Sequence, residues 1–206
     1  MFFSIGFVSV YARADISTSL TIATFADPSN NSNNSLFKVD FTEMTLTGGW
    51  PDIKPGLLLE IPYNNNTSFQ NAWFTMTDIA ILPPSGGISG ISQIGPGEIS
   101  FYADGSSTDP LVIINFESGF ISRYGFGADE IFIAEDVIIT GSVIPSPLSE
   151  EMFSFSFTNL AKLSGSTNWS DGFTATASFT SSAVVPEPTT IALLGVGALS
   201  LIRRKK

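Results

Sequence analysis

Two aspartates and three hydroxyl side chains share one short stretch, Asp104-Gly105-Ser106-Ser107-Thr108-Asp109. Carboxylate and hydroxyl oxygens are the hard ligands that calcium prefers, so Asp104 and Asp109 are candidate metal ligands. The stretch lacks the ligand spacing of an EF-hand loop and the bidentate glutamate that closes one. A hairpin-like turn is therefore the favoured interpretation, with calcium as the alternative. No other cofactor is predicted.

Two tryptophans next to turn residues, Trp50 and Trp169, are candidate platforms for sugar binding. The CH-rich face of a pyranose packs well on a large flat aromatic ring. Burial in the core or at its rim, which is how β-rich proteins often use tryptophan, is the favoured interpretation for each, with the sugar platform as the alternative. Trp73 stands in the middle of a predicted strand, and its position favours the core.

The chain contains neither histidine nor cysteine. This composition excludes Ser-His-Asp and Cys-His nucleophiles, the usual zinc ligand sets, a histidine general base and disulfide bonds. Mechanisms based on carboxylates, on a Ser-Lys pair or on tyrosine stay open, but no motif selects one pair from the many acids. We therefore assign no catalytic residue and expect a protein that is not an enzyme.

The carboxyl-terminal segment, residues 185–206, has three ordered parts. Pro186 and Pro188 flank Glu187, and a weakly polar to apolar run follows from Thr189 to Ile202. A helix can begin after the prolines but cannot extend back through them. The run predicts a transmembrane helix of about 21 Å, which is short against a hydrocarbon core of about 30 Å. A cation cluster ends the segment and favours the cytoplasmic side: Arg203, Arg204, Lys205 and Lys206.

These three parts together resemble the PEP-CTERM protein-sorting signal of Gram-negative bacteria. The resemblance covers about a tenth of the chain and rests on Pro186-Glu187-Pro188, the short apolar helix and the basic end. It implies transient anchoring in the inner membrane and processing by an exosortase. It further implies release or attachment at the cell surface, usually in bacteria that make exopolysaccharide. The alternative is an ordinary tail anchor, which would leave the proline motif unexplained.

Residues 1–14 are predicted to be a signal peptide. An apolar run reaches Tyr11, and Ala12-Arg13-Ala14 has the small-x-small form of a signal peptidase site. A cationic region before the run is missing, so we expect the true start to lie upstream of Met1. The alternative is a buried first strand.

Between Asp15 and Val185 four cations stand against eighteen acids, and such a surface repels nucleic acid.

Residues 15–184 are predicted to form a single all-β domain. About ten apolar stretches alternate with turns rich in Gly, Pro, Asn and Ser, and no helical period is sustained. This pattern is typical of an antiparallel β-sandwich, in a jelly-roll-like arrangement. The alternation of phenylalanine with Ser or Thr across 153–158 predicts a strand with one buried face.

Four details of this reading are specific enough to test. In residues 36–46 the apolar side chains change from one set of alternate positions to the other. This change predicts one strand with a bulge near Thr42 and Glu43. Residues 69–82 are predicted to be one long strand and 120–126 another. Ile88, Ile91 and Ile94 recur among glycine and serine, which predicts a packed loop.

The function expected from the sequence is an exported β-sandwich with a structural or adhesive role at the cell surface or in the exopolysaccharide matrix. The alternative is a carbohydrate- or calcium-binding module on the same route. A hydrolase using carboxylates is disfavoured. The expected partners are the exosortase, signal peptidase, the inner membrane and exopolysaccharide.

Overall fold

The computed structural model describes residues 19–26, 35–49, 56–83, 90–129, 137–144 and 147–185. Regular structure in these ranges is entirely β-strand, and the strands pair antiparallel. The all-β antiparallel prediction is therefore confirmed. The strands of the described residues are β1 Ser19–Ala26, β2 Phe37–Asp40, β3 Thr45–Gly48, β4 Leu57–Ile61, β5 Thr67–Met76, β6 Ile79–Ala80, β7 Ile91–Ile94, β8 Gly97–Tyr102, β9 Val112–Phe116, β10 Gly119–Ser122, β11 Gly125–Asp129, β12 Val137–Thr140, β13 Ser149–Lys162 and β14 Gly172–Val184.

The strands follow one hydrogen-bonded path in the order β12-β9-β8-β5-β4-β1-β14-β13-β11-β10-β7. A branch leaves β14 through β2 and β3 to β6. The N–H of Leu82 donates to the carbonyl of Gln93 over 2.8 Å, and that of Gly95 donates to Ala80 over 2.9 Å. These bonds join the end of the branch to β7, so the sheet curls around its core. Because the path is continuous, the division into two sheets that a sandwich requires is not established.

Phenylalanine rings fill the core enclosed by this curl. On β13 Phe153, Phe155 and Phe157 are buried while Ser154 and Ser156 are exposed, as the alternation predicts. Phe155 lies at the centre, with a ring centroid 4.6 Å from that of Phe126 on β11 and 4.8 Å from that of Phe179 on β14. It also packs against rings from β1, β2 and β5: Phe25, Phe37 and Phe74.

The predicted bulged strand at 36–46 is wrong, because the chain makes a hairpin there. β2 pairs with β3, and Met44 before β3 adopts a left-handed φ of 54°. The Asp40 carboxylate accepts the N–H groups of Thr42 and Glu43, both at 3.0 Å, which stabilises the turn between the strands. The switch of apolar parity marks a turn rather than an extra residue in a strand.

The predicted single strand at 69–82 is also wrong, since it divides into β5 and β6 around Thr77 and Asp78. Thr77 donates its N–H to the Glu98 carbonyl and accepts the Glu98 N–H on its hydroxyl, which ties the break to β8. The loop predicted around the isoleucines is wrong for Ile91–Ile94, which forms β7 because β10 pairs with it. The spacing of the isoleucines among glycines does not reveal the pairing with β10, because β10 is distant in the sequence.

The strand predicted at 120–126 is a hairpin of β10 and β11 with Arg123 and Tyr124 at its tip. Gly125 follows the tip with a φ of 154°, and a Cβ there would collide with the Phe155 carbonyl oxygen. Only glycine allows β11 to approach β13 this closely. The tip is thereby fixed beside β13, where Tyr124 accepts the Phe157 N–H on its carbonyl over 2.7 Å.

At the start of β13 a register shift between Ser149 and Met152 interrupts the pairing with β14. Glu150 within this bulge has a left-handed φ of 52°. The next side chain, Glu151, is buried and accepts the backbone N–H of Ile139 on β12. The outer edge of β12, at one end of the path, therefore has its Ile139 donor satisfied by a side chain from β13.

We expect Asp40→Ala to destabilise the fold by about 2 kcal/mol at pH 7, because the charged acceptor of the β2–β3 turn is lost. The N–H of Glu43, followed by Lys38 at 3.0 Å and the N–H of Thr42, holds the pKa of Asp40 below its ordinary value. A lowered pKa in the folded state gives stability that is complete above the ordinary value and lost as the pH falls through the lowered one. Urea unfolding at pH 7 and pH 2.5 measures the difference.

The difference in free energy of unfolding between wild type and Asp40→Ala should accordingly shrink on acidification. Asp78→Ala removes an exposed aspartate between β5 and β6 and is the matched control. It should change stability by no more than about 0.5 kcal/mol. A destabilisation by Asp40→Ala that is the same at both pH values would contradict the electrostatic origin of the turn's stability.

Candidate functional site

Aromatic, apolar and cationic side chains line one surface groove of about 630 Å³. The segment between β13 and β14 contributes Trp169, and the β10–β11 hairpin contributes Ile121, Arg123 and Tyr124. Ile91 at the start of β7 adds apolar surface. Trp169 is the sequence-predicted site residue that the structure places in this groove.

Hydrogen bonds within the segment between β13 and β14 hold Trp169 in place. The Ser166 hydroxyl accepts the N–H of Asn168 over 3.1 Å and lies 2.7 Å from Oδ2 of Asp171. Lys162, the last residue of β13, donates from Nζ to the Thr167 carbonyl over 2.7 Å. These contacts span the segment on both sides of the tryptophan, so its ring is presented on an ordered loop.

Two cations lie beside the Trp169 ring. The guanidinium carbon of Arg123 is 5.9 Å from the ring centroid, and Nζ of Lys162 is 5.8 Å from it. Both distances are within the range of a cation–π interaction. Trp169 is 36% exposed, and Tyr124 at the hairpin tip is 86% exposed. The groove therefore combines accessible aromatic rings with two adjacent positive charges.

The local charge of the groove differs from that of the body. Arg123 and Lys162 are two of only four cations between residues 15 and 185, against eighteen acids. In the described part of the chain the ion pair joins Lys38 to Asp40, and neither side chain lines the groove, although Phe41 next to Asp40 does. Neither Arg123 nor Lys162 forms an ion pair with another described residue. Neither charge is neutralised by a described carboxylate, although Nζ of Lys162 also bonds the Thr167 carbonyl.

Sequence reasoning did not find Arg123, Tyr124 or Lys162 as site residues. Arg123 and Tyr124 were assigned to the interior of a strand, which hid the hairpin tip. The signal that could have shown the tip is Gly125 directly after two polar side chains, since glycine commonly ends a tight turn. Lys162 carries no such local signal, because only the return of the chain after β13 places the Trp169 ring beside it.

The structure places Asp104 and Asp109, the candidate calcium ligands, in the exposed turn after β8. The Trp73 indole donates to the Ala103 and Ser106 carbonyls over 3.2 and 3.0 Å, and its ring stacks on Tyr102. This contact fixes the turn. Within the described ranges no three acidic side chains are grouped so that they could hold a metal ion. Calcium binding by the turn stays a prediction.

Several sequence-predicted features lie outside the described residues. They are Trp50, the signal peptide at 1–14, Pro186-Glu187-Pro188, the helix predicted at 189–202 and the cation cluster at 203–206. The ranges that are described contain no helix long and apolar enough to cross a bilayer. The last described residue is Val185, directly after β14, so the prolines begin where the domain's final strand ends.

These observations define a protein that has an antiparallel all-β domain. A carboxyl-terminal segment follows the last strand of this domain. Residues 184–206 match the family model described as the PEP-CTERM protein-sorting motif. The chain therefore carries a PEP-CTERM sorting motif in its carboxyl-terminal segment, which confirms the resemblance noted in its sequence. The comparisons with curated proteins and with solved structures give no significant match.

The motif implies export, transient membrane anchoring and processing by an exosortase before release to the cell surface. The match covers the tail alone and carries no information on what the β domain binds.

Proposed function

We propose that the protein is a non-enzymatic β-sandwich component of the cell surface or exopolysaccharide matrix of a Gram-negative bacterium, with a structural or adhesive role. The observation that carries the proposal is the sorting motif at 184–206. The excess of acids on the body supports it, because like charges keep an exported domain soluble. The absence of histidine and cysteine from the sequence supports a role without catalysis.

The register of the sheet fits delivery from a membrane. Ser19 at the start of β1 is the register partner of Val184 at the end of β14. The segments predicted to be the signal peptide and the anchor thus adjoin the same end of one strand pair. A body attached to a membrane through either segment would be held from that end, which leaves the rest of its surface open to partners.

Intact-mass measurement of the protein from its native host, combined with cell fractionation, tests this proposal. We expect a mature form in the surface or extracellular fraction that lacks residues 1–14 and has been cut at or near Pro186-Glu187-Pro188. Signal peptidase and the exosortase would account for the two cuts. A full-length cytosolic protein would contradict the proposal.

We expect deletion of Arg203 to Lys206 to reduce the mature, surface-located protein by about tenfold. The cations hold the end of the anchor on the cytoplasmic side, and insertion without them is no longer oriented. Immunoblotting of cell fractions together with intact mass measures the yield. A variant with Arg203 and Arg204 changed to Lys keeps all four positive charges and should behave as wild type. Unchanged yield after the deletion would contradict this role for the cluster.

A carbohydrate-binding module is the second candidate function, and the groove at Trp169 favours it. An exposed indole and an exposed phenol beside an apolar lining are the surfaces on which sugar rings stack. A glycan array with the purified protein separates the two candidates, since a purely structural protein should give no specific signal. Calorimetry with calcium tests the weaker metal-binding alternative at Asp104 and Asp109.

A further inference from the structure

The groove at Trp169 has an electrostatic character opposite to that of the protein around it. Arg123 comes from the β10–β11 hairpin and Lys162 from the end of β13, and both stand about 6 Å from the Trp169 ring centroid. These two positive charges converge on one ring although the body has only four cations in total. Neither is neutralised by an ion pair within the described ranges.

We infer that this groove binds an acidic polysaccharide whose sugars carry carboxylate groups. A pyranose ring stacks on the exposed face of Trp169 or Tyr124, and its carboxylate lies against Arg123 and Lys162. Arginine and lysine both donate charge-assisted hydrogen bonds to carboxylate oxygens, and arginine can do so with two parallel bonds. The inference rests on the proposed delivery to a polysaccharide matrix and names the chemistry of the partner there.

The surrounding acids narrow the choice of ligand. A broad anionic surface, such as a lipid bilayer or a nucleic acid duplex, would bring many negative charges against the acidic body. A single saccharide chain is narrow enough to place its charges on the two cations alone. A neutral sugar would use the aromatic rings but would leave Arg123 and Lys162 without a role.

Binding of the full-length chain, in mild detergent, to polygalacturonate and to its fully methyl-esterified form tests the inference. The two polymers share the sugar ring, and only the first carries carboxylates. We expect binding to polygalacturonate alone, with an affinity that decreases as salt is raised. Arg123→Gln and Lys162→Gln should each lower the affinity about tenfold, and Trp169→Ala should lower it by at least as much. Arg123→Lys should recover part of the loss.

Tyr63→Ala is the matched control, because Tyr63 is 40% exposed but lies outside the groove. It should bind as wild type does. Circular dichroism and thermal unfolding of each variant separate loss of binding from loss of fold. Equal binding of both polymers would overturn the inference, as would affinity for polygalacturonate that survives Trp169→Ala and Arg123→Gln. Dextran sulfate that binds as tightly as polygalacturonate and is unaffected by Trp169→Ala would show nonspecific attraction of polyanions and would also overturn it.

The outcome of the binding experiment does not depend on whether the protein is sorted as proposed. If the groove variants lose polygalacturonate binding but are still processed to the mature mass, both the sorting proposal and the groove inference stand. If the groove binds nothing while processing is intact, only the inference fails. If processing fails in the host while the purified chain binds, only the proposed route fails.

Discussion

Replacing Pro186, Glu187 and Pro188 together by alanine is expected to abolish the mature form of the protein and to leave an uncut, membrane-associated chain. Alanine is a strong helix former, whereas the two prolines lack a backbone donor and end a helix. The replacement lets the predicted helix at 189–202 extend toward β14 and removes the motif carboxylate. The exosortase then meets neither the two prolines nor the glutamate of the motif. Intact mass and fractionation in the native host measure the effect.

The chain offers a matched control in a second proline pair, Pro145-Ser146-Pro147. Alanine at these three positions removes the same number of prolines from the body and should leave processing intact. Normal cutting of the Pro186-Glu187-Pro188 variant would show that the prolines and the glutamate are not what the protease reads. Loss of processing in both variants would point to the body's fold instead.

Phe155→Ala is expected to lower the free energy of unfolding by about 3–5 kcal/mol, the range for removing a buried phenylalanine. Phe155 is 1% exposed and packs against rings from β2 and β5, namely Phe37 and Phe74. Its loss leaves a cavity that several stiff rings cannot collapse to fill, and it also removes the stacked contact with Phe126. Urea unfolding followed by tryptophan fluorescence and circular dichroism measures the change.

Phe120→Ala provides the comparison, because the same truncation is made at a side chain that is 49% exposed on β10. We expect a change of no more than about 0.5 kcal/mol there. A loss below about 1 kcal/mol for Phe155→Ala would mean that the phenylalanine cluster is not the main source of the fold's stability. If Phe155→Ala does not fold at all, Phe155→Leu should give a smaller, measurable loss of the same sign.

The sequence predicts strand faces well and strand ends poorly in this protein. Alternation at Phe153, Phe155 and Phe157 identifies the buried face, because one sheet face packs on the core and the other meets solvent. The turns after Asp40 and Ser122 escaped detection because each is tight and lies inside an apolar stretch. The first depends on backbone donors captured by Asp40, and the second on the closeness of Gly125 to β13. The first cause is visible only in three dimensions, whereas Gly125 directly after two polar side chains is a local signal of the second turn.

Prediction of the candidate site from the sequence has the same limit, because contacts between distant residues are not visible there. Trp169 could be found from its place beside turn residues, and it does lie in a groove. Arg123 and Lys162 could not be found, because they are distant from each other in the chain and meet only through the pairing of β11 with β13. A cation near an aromatic ring is a tertiary contact and leaves no local pattern. The sorting motif, by contrast, is contiguous, which is why the sequence alone revealed it.

The bulge at Glu150 has a consequence for how this protein survives outside the cell. A strand edge with free backbone donors recruits strands from other molecules, and a chain without disulfides has no covalent protection against such pairing. β7 is joined to β6, and the Ile139 donor of β12 is occupied by the Glu151 carboxylate. At high concentration, neighbouring copies would thus find these two described edge positions already occupied, and Glu151→Ala should reopen one of them.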